Sequence, residues 1–274
     1  MKHLILLAII AIAIIYTNQN VVAQLNVSGN VLNERGETIE YVSIGFNCDS
    51  VGTISDDNGH FSLKIPEGRT KTLIFSHVSY LPAEIPFESY SAGNELTIVL
   101  KDKTIILPEV TIRKSSKPEV IVGKGMPMIG GCMFTKRDKT DSPEGGPMFT
   151  PEKDYIISNI LLDIKECTYK ECTLSFNLYE RQDSKLVNVL QKPIYQTVQQ
   201  KKKSFTLDVM PEETLVLKQG KEYYLSVAMV DCEGEGVLMS PARVKSGYYR
   251  KSIIDGEPEK KPICLPIVIK GNEL

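Results

Sequence analysis

The sequence predicts an all-β protein made of two antiparallel β-sandwich domains. Three observations support this prediction. Short segments that alternate apolar and polar residues recur along the chain, Gly, Pro and Asn turn signals separate them, and helical periodicity is nearly absent. Alternation with short connections indicates strands with one buried face, which pair in antiparallel sheets. The 274 residues are enough for two ordinary domains.

Residues 1–23 resemble a secretory signal peptide. Lys2 and His3 form a basic start, residues 4–15 are an apolar run, and residues 21–23 are small enough for cleavage. This run is shorter than the roughly 20 residues that span a bilayer. We therefore predict an exported protein, periplasmic, associated with the outer membrane or extracellular, with no transmembrane segment after cleavage. An uncleaved anchor is the alternative.

The most informative pattern lies at residues 25–113. Segments typical of strands occur at 27–31, 41–44, 73–80, 96–100 and 107–112. Between the second and third of these, Asn58 and Gly59 both tolerate positive φ and predict a hairpin. The pattern resembles the carboxypeptidase-regulatory-like (transthyretin-like or prealbumin-like) domain, which also precedes the plug of many TonB-dependent transporters of Bacteroidetes. The resemblance implies a first sandwich of about seven strands at residues 24–114.

This resemblance does not imply peptidase activity, because the zinc enzyme of metallocarboxypeptidases is a separate part of those proteins. A catalytic zinc site needs about three protein ligands, commonly His and Glu. The predicted mature chain has only His60 and His77, and neither begins a His-x-x-Glu motif. We therefore predict that the protein is not an enzyme, with no catalytic residues, no metal and no cofactor.

The second half shows its own β pattern. Gly, Pro and Lys residues indicate a linker at 115–124 and a second sandwich at 125–274. We expect an edge strand at 125–134 and further strands at 155–164, 173–180, 203–209, 222–230 and 262–270. This half is similar to the jelly-roll domains that often follow the regulatory-like domain in exported Bacteroidetes proteins. The similarity carries no site residues.

The six cysteines all lie in the predicted exported part: Cys48, Cys132, Cys167, Cys172, Cys232 and Cys264. An exported compartment permits disulfides. Four residues separate Cys167 from Cys172, so two strand ends could place them opposite each other, and we predict a disulfide between them. We expect Cys48 to be a small buried residue in a strand. The pairing of the other three stays open.

Tyrosines are the candidates for stacking on a sugar, because the chain has no Trp. The candidate residues are Tyr179, Tyr195, Tyr248 and Tyr249. Alternation places Tyr179 on the polar face of its strand, so we expect it to be the most exposed of the four. The competing interpretation is that these rings cover the rim of a core. The acidic residues within 231–236 could bind a hard cation, but a solvated loop is the default interpretation because a full ligand set is missing.

Charge and pattern together narrow the function. The predicted mature chain has 34 acidic residues and 31 basic ones, the 32 of the full chain less Lys2, which argues against nucleic acid or an anionic membrane as the main partner. We predict a protein-interaction or structural module at the bacterial cell envelope that binds through a sheet edge rather than a deep pocket. The alternative is a carbohydrate-binding module that assists glycan capture or uptake. The expected partner is therefore an envelope protein or a glycan.

Overall fold

The computed structural model describes residues 24–103, 117–136, 144–251, 254 and 256–274. Nearly all the secondary structure of these residues is β, in several mainly antiparallel sheets, which confirms the predicted fold class. The predicted signal peptide and the predicted strand at 107–112 lie outside the described residues. The described residues contain no helix with the length and apolar character that a membrane crossing needs.

The described part of the first half contains seven strands and one short helix. They are β1 (Gln24–Asn33), β2 (Ser43–Gly45), β3 (Gly52–Ile54), β4 (His60–Pro66), β5 (Leu73–Ser76), β6 (Ala83–Ile85), α1 (Phe87–Tyr90) and β7 (Leu96–Leu100). One sheet has the order β4-β1-β7 and the other β3-β2-β5-β6. Alternate residues of β1, β4 and β5 point into one core between the two sheets. The first half is therefore a sandwich, as expected.

The turn at 56–59 differs from the predicted hairpin. The turn exists, and Gly59 has the positive φ of 75°. However, β3 pairs with β2 and β4 pairs with β1, so the turn carries the chain from one sheet to the other. The Asp56 carboxylate accepts hydrogen bonds from the backbone N–H groups of Asn58 and His60, at 2.9 and 2.8 Å. This turn therefore fixes the spacing of two layers instead of joining neighbours within one sheet.

The prediction for Cys48 is wrong. Its side chain is exposed, and it lies in a turn with a φ of 52° rather than in a strand. The turn brings its backbone N–H to the carbonyl oxygen of Ile254 in the second half, at 3.3 Å. Contact with the other half of the chain has overridden the local β pattern here.

Fourteen strands occur in the described part of the second half. They are β8 (Glu119–Val122), β9 (Met126–Phe134), β10 (Glu144–Gly146), β11 (Met148–Phe149), β12 (Tyr155–Ile164), β13 (Glu166–Gln182), β14 (Lys185–Asn188), β15 (Ile194–Lys201), β16 (Phe205–Val209), β17 (Val216–Leu217), β18 (Tyr223–Glu233), β19 (Leu238–Arg250), β20 (Glu259–Cys264) and β21 (Ile267–Glu273). β8 lies within the predicted linker, yet it pairs with β21. The second half therefore begins its sheet by Glu119.

Two sheets enclose the core of the second half. The smaller has the order β16-β12-β21-β8, with β17 also paired to β12. The larger follows β11-β18-β10-β19-β13-β14, with β9, β15 and β20 attached. The strand predicted at 262–270 is two strands, because the chain crosses between the sheets at Leu265 and Pro266. The predicted edge strand at 125–134 is confirmed as β9, which pairs with β19.

The two halves contact each other directly. The hydroxyl of Ser79 donates a hydrogen bond to the carbonyl oxygen of Gln191, at 3.0 Å. The rings of Tyr41 and Tyr195 meet edge to face, with centroids 5.0 Å apart. These contacts place the first sandwich against one face of the larger sheet.

Candidate functional site

A cleft of about 540 Å³ lies between the two sandwiches. We call it the interdomain cleft. Tyr41, His77 and Tyr80 of the first sandwich line it together with Tyr195 of β15. Both sandwiches contribute residues to its walls, so neither strand pattern alone indicates this cleft.

His77 joins the two walls of the interdomain cleft. Its Nδ1 accepts a hydrogen bond from the backbone N–H of Ser79 at 3.2 Å, so the proton of the neutral ring is on Nε2. Nε2 lies 3.4 Å from the hydroxyl oxygen of Tyr195. Burial lowers the pKa of His77 to about 4. The ring is therefore neutral at physiological pH and donates towards the second sandwich.

Tyr41 reaches the cleft from a backbone conformation that side chains rarely adopt. Its φ is 51°, in the left-handed region. Burial raises the pKa of Tyr41 and also that of Tyr195, so both phenols stay protonated. Strained residues of this kind persist where the surrounding structure holds them, often at binding sites. Here the holding contact is the edge-to-face packing on Tyr195.

Amide and hydroxyl groups line the floor of the cleft. Asn188 of β14 donates through Nδ2 to Oδ1 of Asn177, at 3.0 Å, and Asn177 donates to Oγ of Ser175, at 3.3 Å. All three line the cleft. These neutral donors and acceptors lie beside aromatic rings, and the charged side chains of Glu84, Lys103 and Lys185 also line the cleft, so the site suits a polar ligand. The amide and hydroxyl groups supply neither a nucleophile with a paired base nor an acid–base pair for catalysis.

Tyr179 lies on the predicted face but is not exposed. Its side chain is only 8% exposed. It stacks on Tyr224 with centroids 5.8 Å apart, and the Arg250 guanidinium lies 4.4 Å from its ring centroid. The prediction of exposure is wrong because a second cluster covers this face of the larger sheet. Tyr179 still borders the interdomain cleft, so its proposed stacking role stays a prediction.

A buried ion pair holds this covering cluster together. Arg250 donates through Nε to the Glu144 carboxylate at 2.6 Å, and both side chains are almost completely buried. Burial by itself would lower the pKa of Arg250, but the Glu144 carboxylate more than offsets this and raises it. The Tyr179 hydroxyl donates to the same carboxylate at 3.4 Å. The buried charge of Arg250 and the buried charge of Glu144 therefore each stabilise the other.

Tyr248 and Tyr249 do not join the cleft. They are consecutive in β19, so their side chains point to opposite faces of the sheet. Tyr248 packs against the cluster of Tyr179 and Tyr224. The Tyr249 hydroxyl lies 3.8 Å from Sγ of Cys132. The structure thus brings two of the four candidate tyrosines to the cleft and places the other two elsewhere.

The acidic loop at 231–236 is occupied by ion pairs. Asp231 pairs with Lys136 at 2.9 Å, and Glu233 pairs with Lys170 at 2.5 Å. Within the described ranges, no group of three or more His, Cys, Asp or Glu side chains is arranged to hold a metal ion.

Cys167 and Cys172 approach each other by a different route from the predicted one. Both belong to the continuous strand β13, so they are not on two separate strand ends. The pairing of β13 with β15 is irregular between Cys167 and Glu171, and this irregularity turns both thiols into the same core. Their Sγ atoms are 3.8 Å apart as free thiols, whereas a disulfide measures about 2.05 Å. The bridge stays a prediction.

The edge strand β9 carries a surface that the sequence analysis did not single out. Three of its side chains are largely exposed although they are apolar: Ile129 at 99%, Met126 at 67% and Met133 at 61%. Met126 lies opposite Val244 of β19, which is 48% exposed. We call this set the β9 apolar edge. Its sequence signal is the run 126–129, which is apolar without alternation.

Comparison with known proteins identifies the first sandwich. Residues 27–112 match the family described as CarboxypepD_reg-like domain. The match confirms the predicted resemblance of this part, and the family is a regulatory-like domain without catalytic activity. Because the matched region ends at residue 112, the jelly-roll-like resemblance of the second half is not confirmed.

A curated relative is the TonB-dependent receptor SusC of Bacteroides thetaiotaomicron. The two sequences are 29% identical over 120 residues, which is 42% of this chain and 10% of the receptor. The chain thus spans about a tenth of the length of the curated relative that it matches. The similarity leaves most of the receptor unmatched.

Replacement of Glu144 by Gln should destabilise the protein by about 3–5 kcal/mol, because it leaves the buried Arg250 charge without a partner. Urea unfolding followed by far-UV circular dichroism measures the loss. Glu233→Gln is the matched control, since it removes the same charge from the exposed pair with Lys170 and should change nothing measurable. Equal effects of the two variants would contradict the role of burial.

His77 should make stability depend on pH. Its folded pKa of about 4 lies below the ordinary value of 6.5, so the unfolded chain binds the extra proton first as the pH falls. The contribution of neutral His77 is complete above pH 6.5 and is lost between pH 6.5 and 4, by up to about 3 kcal/mol.

The measurement is the difference in unfolding free energy between wild type and His77→Gln at several pH values. Carboxylate titration cancels in this difference. His60→Gln, at an exposed histidine, is the matched control for the loss of a histidine. A flat difference for His77→Gln from pH 7 to 4.5 would show that its ring is not held neutral.

Proposed function

We propose that this chain is a non-enzymatic protein-interaction module of the bacterial cell envelope, and that the β9 apolar edge is its binding surface. The observation that carries the proposal is the exposure of Ile129, Met126 and Met133 on a strand at the border of a sheet. Isolated exposed apolar side chains are common, but a contiguous group on a strand edge marks an interaction site.

The proposed occupant is an extended strand of a partner protein. Within the described part of the chain, β9 pairs only with β19, so its other edge offers backbone N–H and C=O groups. Soluble proteins usually protect such an edge with Lys, Pro or a covering loop. β9 has a single Pro127 and no Lys, so a partner strand can add its backbone hydrogen bonds to apolar contacts with Ile129 and Met133.

The envelope location rests on two supports. The basic and apolar start of the chain is typical of an exported protein. Residues 27–112 match the CarboxypepD_reg-like domain family, and 120 residues of the chain are similar to part of a TonB-dependent receptor. The proposed partner is therefore an exported or outer-membrane protein. In this arrangement the first sandwich positions the second, and β9 makes the contact.

Ile129→Lys should remove partner binding without loss of stability, because the Ile129 side chain is 99% exposed and makes its contacts only when a partner is present. Tagged wild type, Ile129→Lys and Met210→Lys are compared in pull-downs from an envelope extract. Met210 is 72% exposed but lies outside β9, so Met210→Lys introduces the same charge elsewhere.

We expect a partner that wild type and Met210→Lys retain and Ile129→Lys loses. Hydrogen exchange of the purified complex should then show slower exchange of the β9 amides, as added strand pairing requires. Retention of the partner by Ile129→Lys, or protection confined to another strand, would remove β9 from the proposal.

Carbohydrate binding is the second candidate, favoured by the interdomain cleft. Its tyrosines offer flat apolar faces, and Asn177, Asn188 and Ser175 offer neutral donors and acceptors to sugar hydroxyls. A glycan array with wild type and Asn177→Ala discriminates between the candidates. Micromolar binding of a defined oligosaccharide that Asn177→Ala loses and Ile129→Lys keeps would reverse the ranking. We expect no such binding from the interaction module.

A further inference from the structure

Three thiols of the second sandwich share one corner of its core. Cys167 and Cys172 are fully buried, and the half-buried Cys232 packs against the same cluster. Tyr169 lies beside them, and its pKa is raised first by burial and then by the nearness of Cys232, Cys172 and Cys167. Two independent features of the fold, a local irregularity and a strand register, create this cluster.

The irregularity of β13 supplies the first contact. It brings Sγ of Cys167 to 3.8 Å from Sγ of Cys172, although four residues separate the two. The register supplies the second contact. Cys172 of β13 lies directly opposite Cys232 of β18 in an antiparallel pair. Residues in this position have Cα atoms about 4.5–5.5 Å apart, within the roughly 4.4–6.8 Å that a disulfide spans, and their Cβ atoms need to approach to about 3.8 Å for the bond to form.

We propose that Cys167, Cys172 and Cys232 form an oxidation site in which Cys172 is the common partner. It bonds either to Cys167 within its own strand or to Cys232 across the sheet. Three thiols form only one disulfide among themselves, so one thiol of the cluster stays reduced. The site is a modification site of the exported chain. One product links two residues of the same strand, and the other links two neighbouring strands.

The oxidant is a disulfide of a donor protein or of glutathione. One thiolate of the cluster attacks the donor disulfide and forms a mixed disulfide, and a donor thiolate leaves. The second cluster thiolate then attacks the cluster sulfur of that mixed disulfide and releases the second donor thiolate. The cluster loses two electrons and two protons, and the donor disulfide gains them as two thiols.

Burial places this reaction before the sandwich closes. Attack needs a thiolate, and burial raises the pKa of Cys172 strongly, so the folded core suppresses the reactive form. The same burial protects the finished disulfide from reductants. The link between Cys172 and Cys232 closes a much longer loop than the link between Cys167 and Cys172, so it restricts the unfolded chain more.

The test is oxidative refolding of the reduced protein in a glutathione redox buffer, followed by mass mapping of a non-reduced tryptic digest. Cleavage after Lys165, Lys170, Arg181, Lys221 and Arg243 places the three cysteines in three separate peptides. Wild type, Cys167→Ala, Cys172→Ala and Cys232→Ala are compared. All four proteins carry Cys48→Ser, because Cys48 is exposed and could link two molecules, so wild type here means the chain with this one change.

We expect wild type to have one disulfide in the cluster, always with Cys172. Cys167→Ala should form the bond to Cys232, and Cys232→Ala the bond to Cys167. Cys172→Ala should form none. Oxidation should raise the Tm of Cys167→Ala by about 5 °C more than that of Cys232→Ala, because the closed loop is longer.

Three outcomes would overturn the proposal. They are a free Cys172 in oxidised wild type, a Cys167–Cys232 bond in Cys172→Ala at the wild-type yield, or no bond in Cys167→Ala while that variant folds. Circular dichroism of each reduced variant separates the last outcome from misfolding. The β9 pull-down is independent of all three, so failure here leaves the proposed function standing.

Discussion

The centre of the larger sheet, at β13 and β18, is mostly buried on both faces, and several other features follow from this. One face packs on the smaller sheet in an ordinary core. The other carries Tyr179 and Tyr224, which need cover, and the buried pair of Glu144 and Arg250 provides it at the cost of desolvating two charges. The first sandwich then docks beside this cover and leaves the interdomain cleft at its border.

Much of the fold is predictable because a strand with one buried face has a sequence that alternates apolar and polar residues. The strand predicted at 155–164 is β12, observed at the same residues, and alternation in β4 marks its core face correctly. The strand predicted at 222–230 is observed as β18, but β18 is buried on both faces over most of its length, so alternation does not describe its burial. The turn at 56–59 has residues typical of a hairpin, but the strands on either side of it pair in different sheets, so it connects two layers.

The cleft could be predicted only in part. Tyr195 is recognisable as a candidate by residue type, but the groups that define its role, His77 and Tyr41, come from the other sandwich. His77 is 118 positions away from Tyr195 in the chain. No periodic pattern in the sequence can indicate that two such distant residues lie together. The β9 apolar edge, in contrast, is visible in the sequence as an apolar run without alternation. That run indicates exposed residues only once the strands beside it are known.

The position of β21 has a consequence for how the protein reaches its fold. β21 lies between β12 and β8, and its Ile269 pairs with Val122, so the smaller sheet closes only when distant parts of the chain meet. Such pairing costs loop-closure entropy before any stabilising contact forms, and this cost slows folding. A second sandwich that closes late keeps its apolar strands exposed to aggregation for that interval.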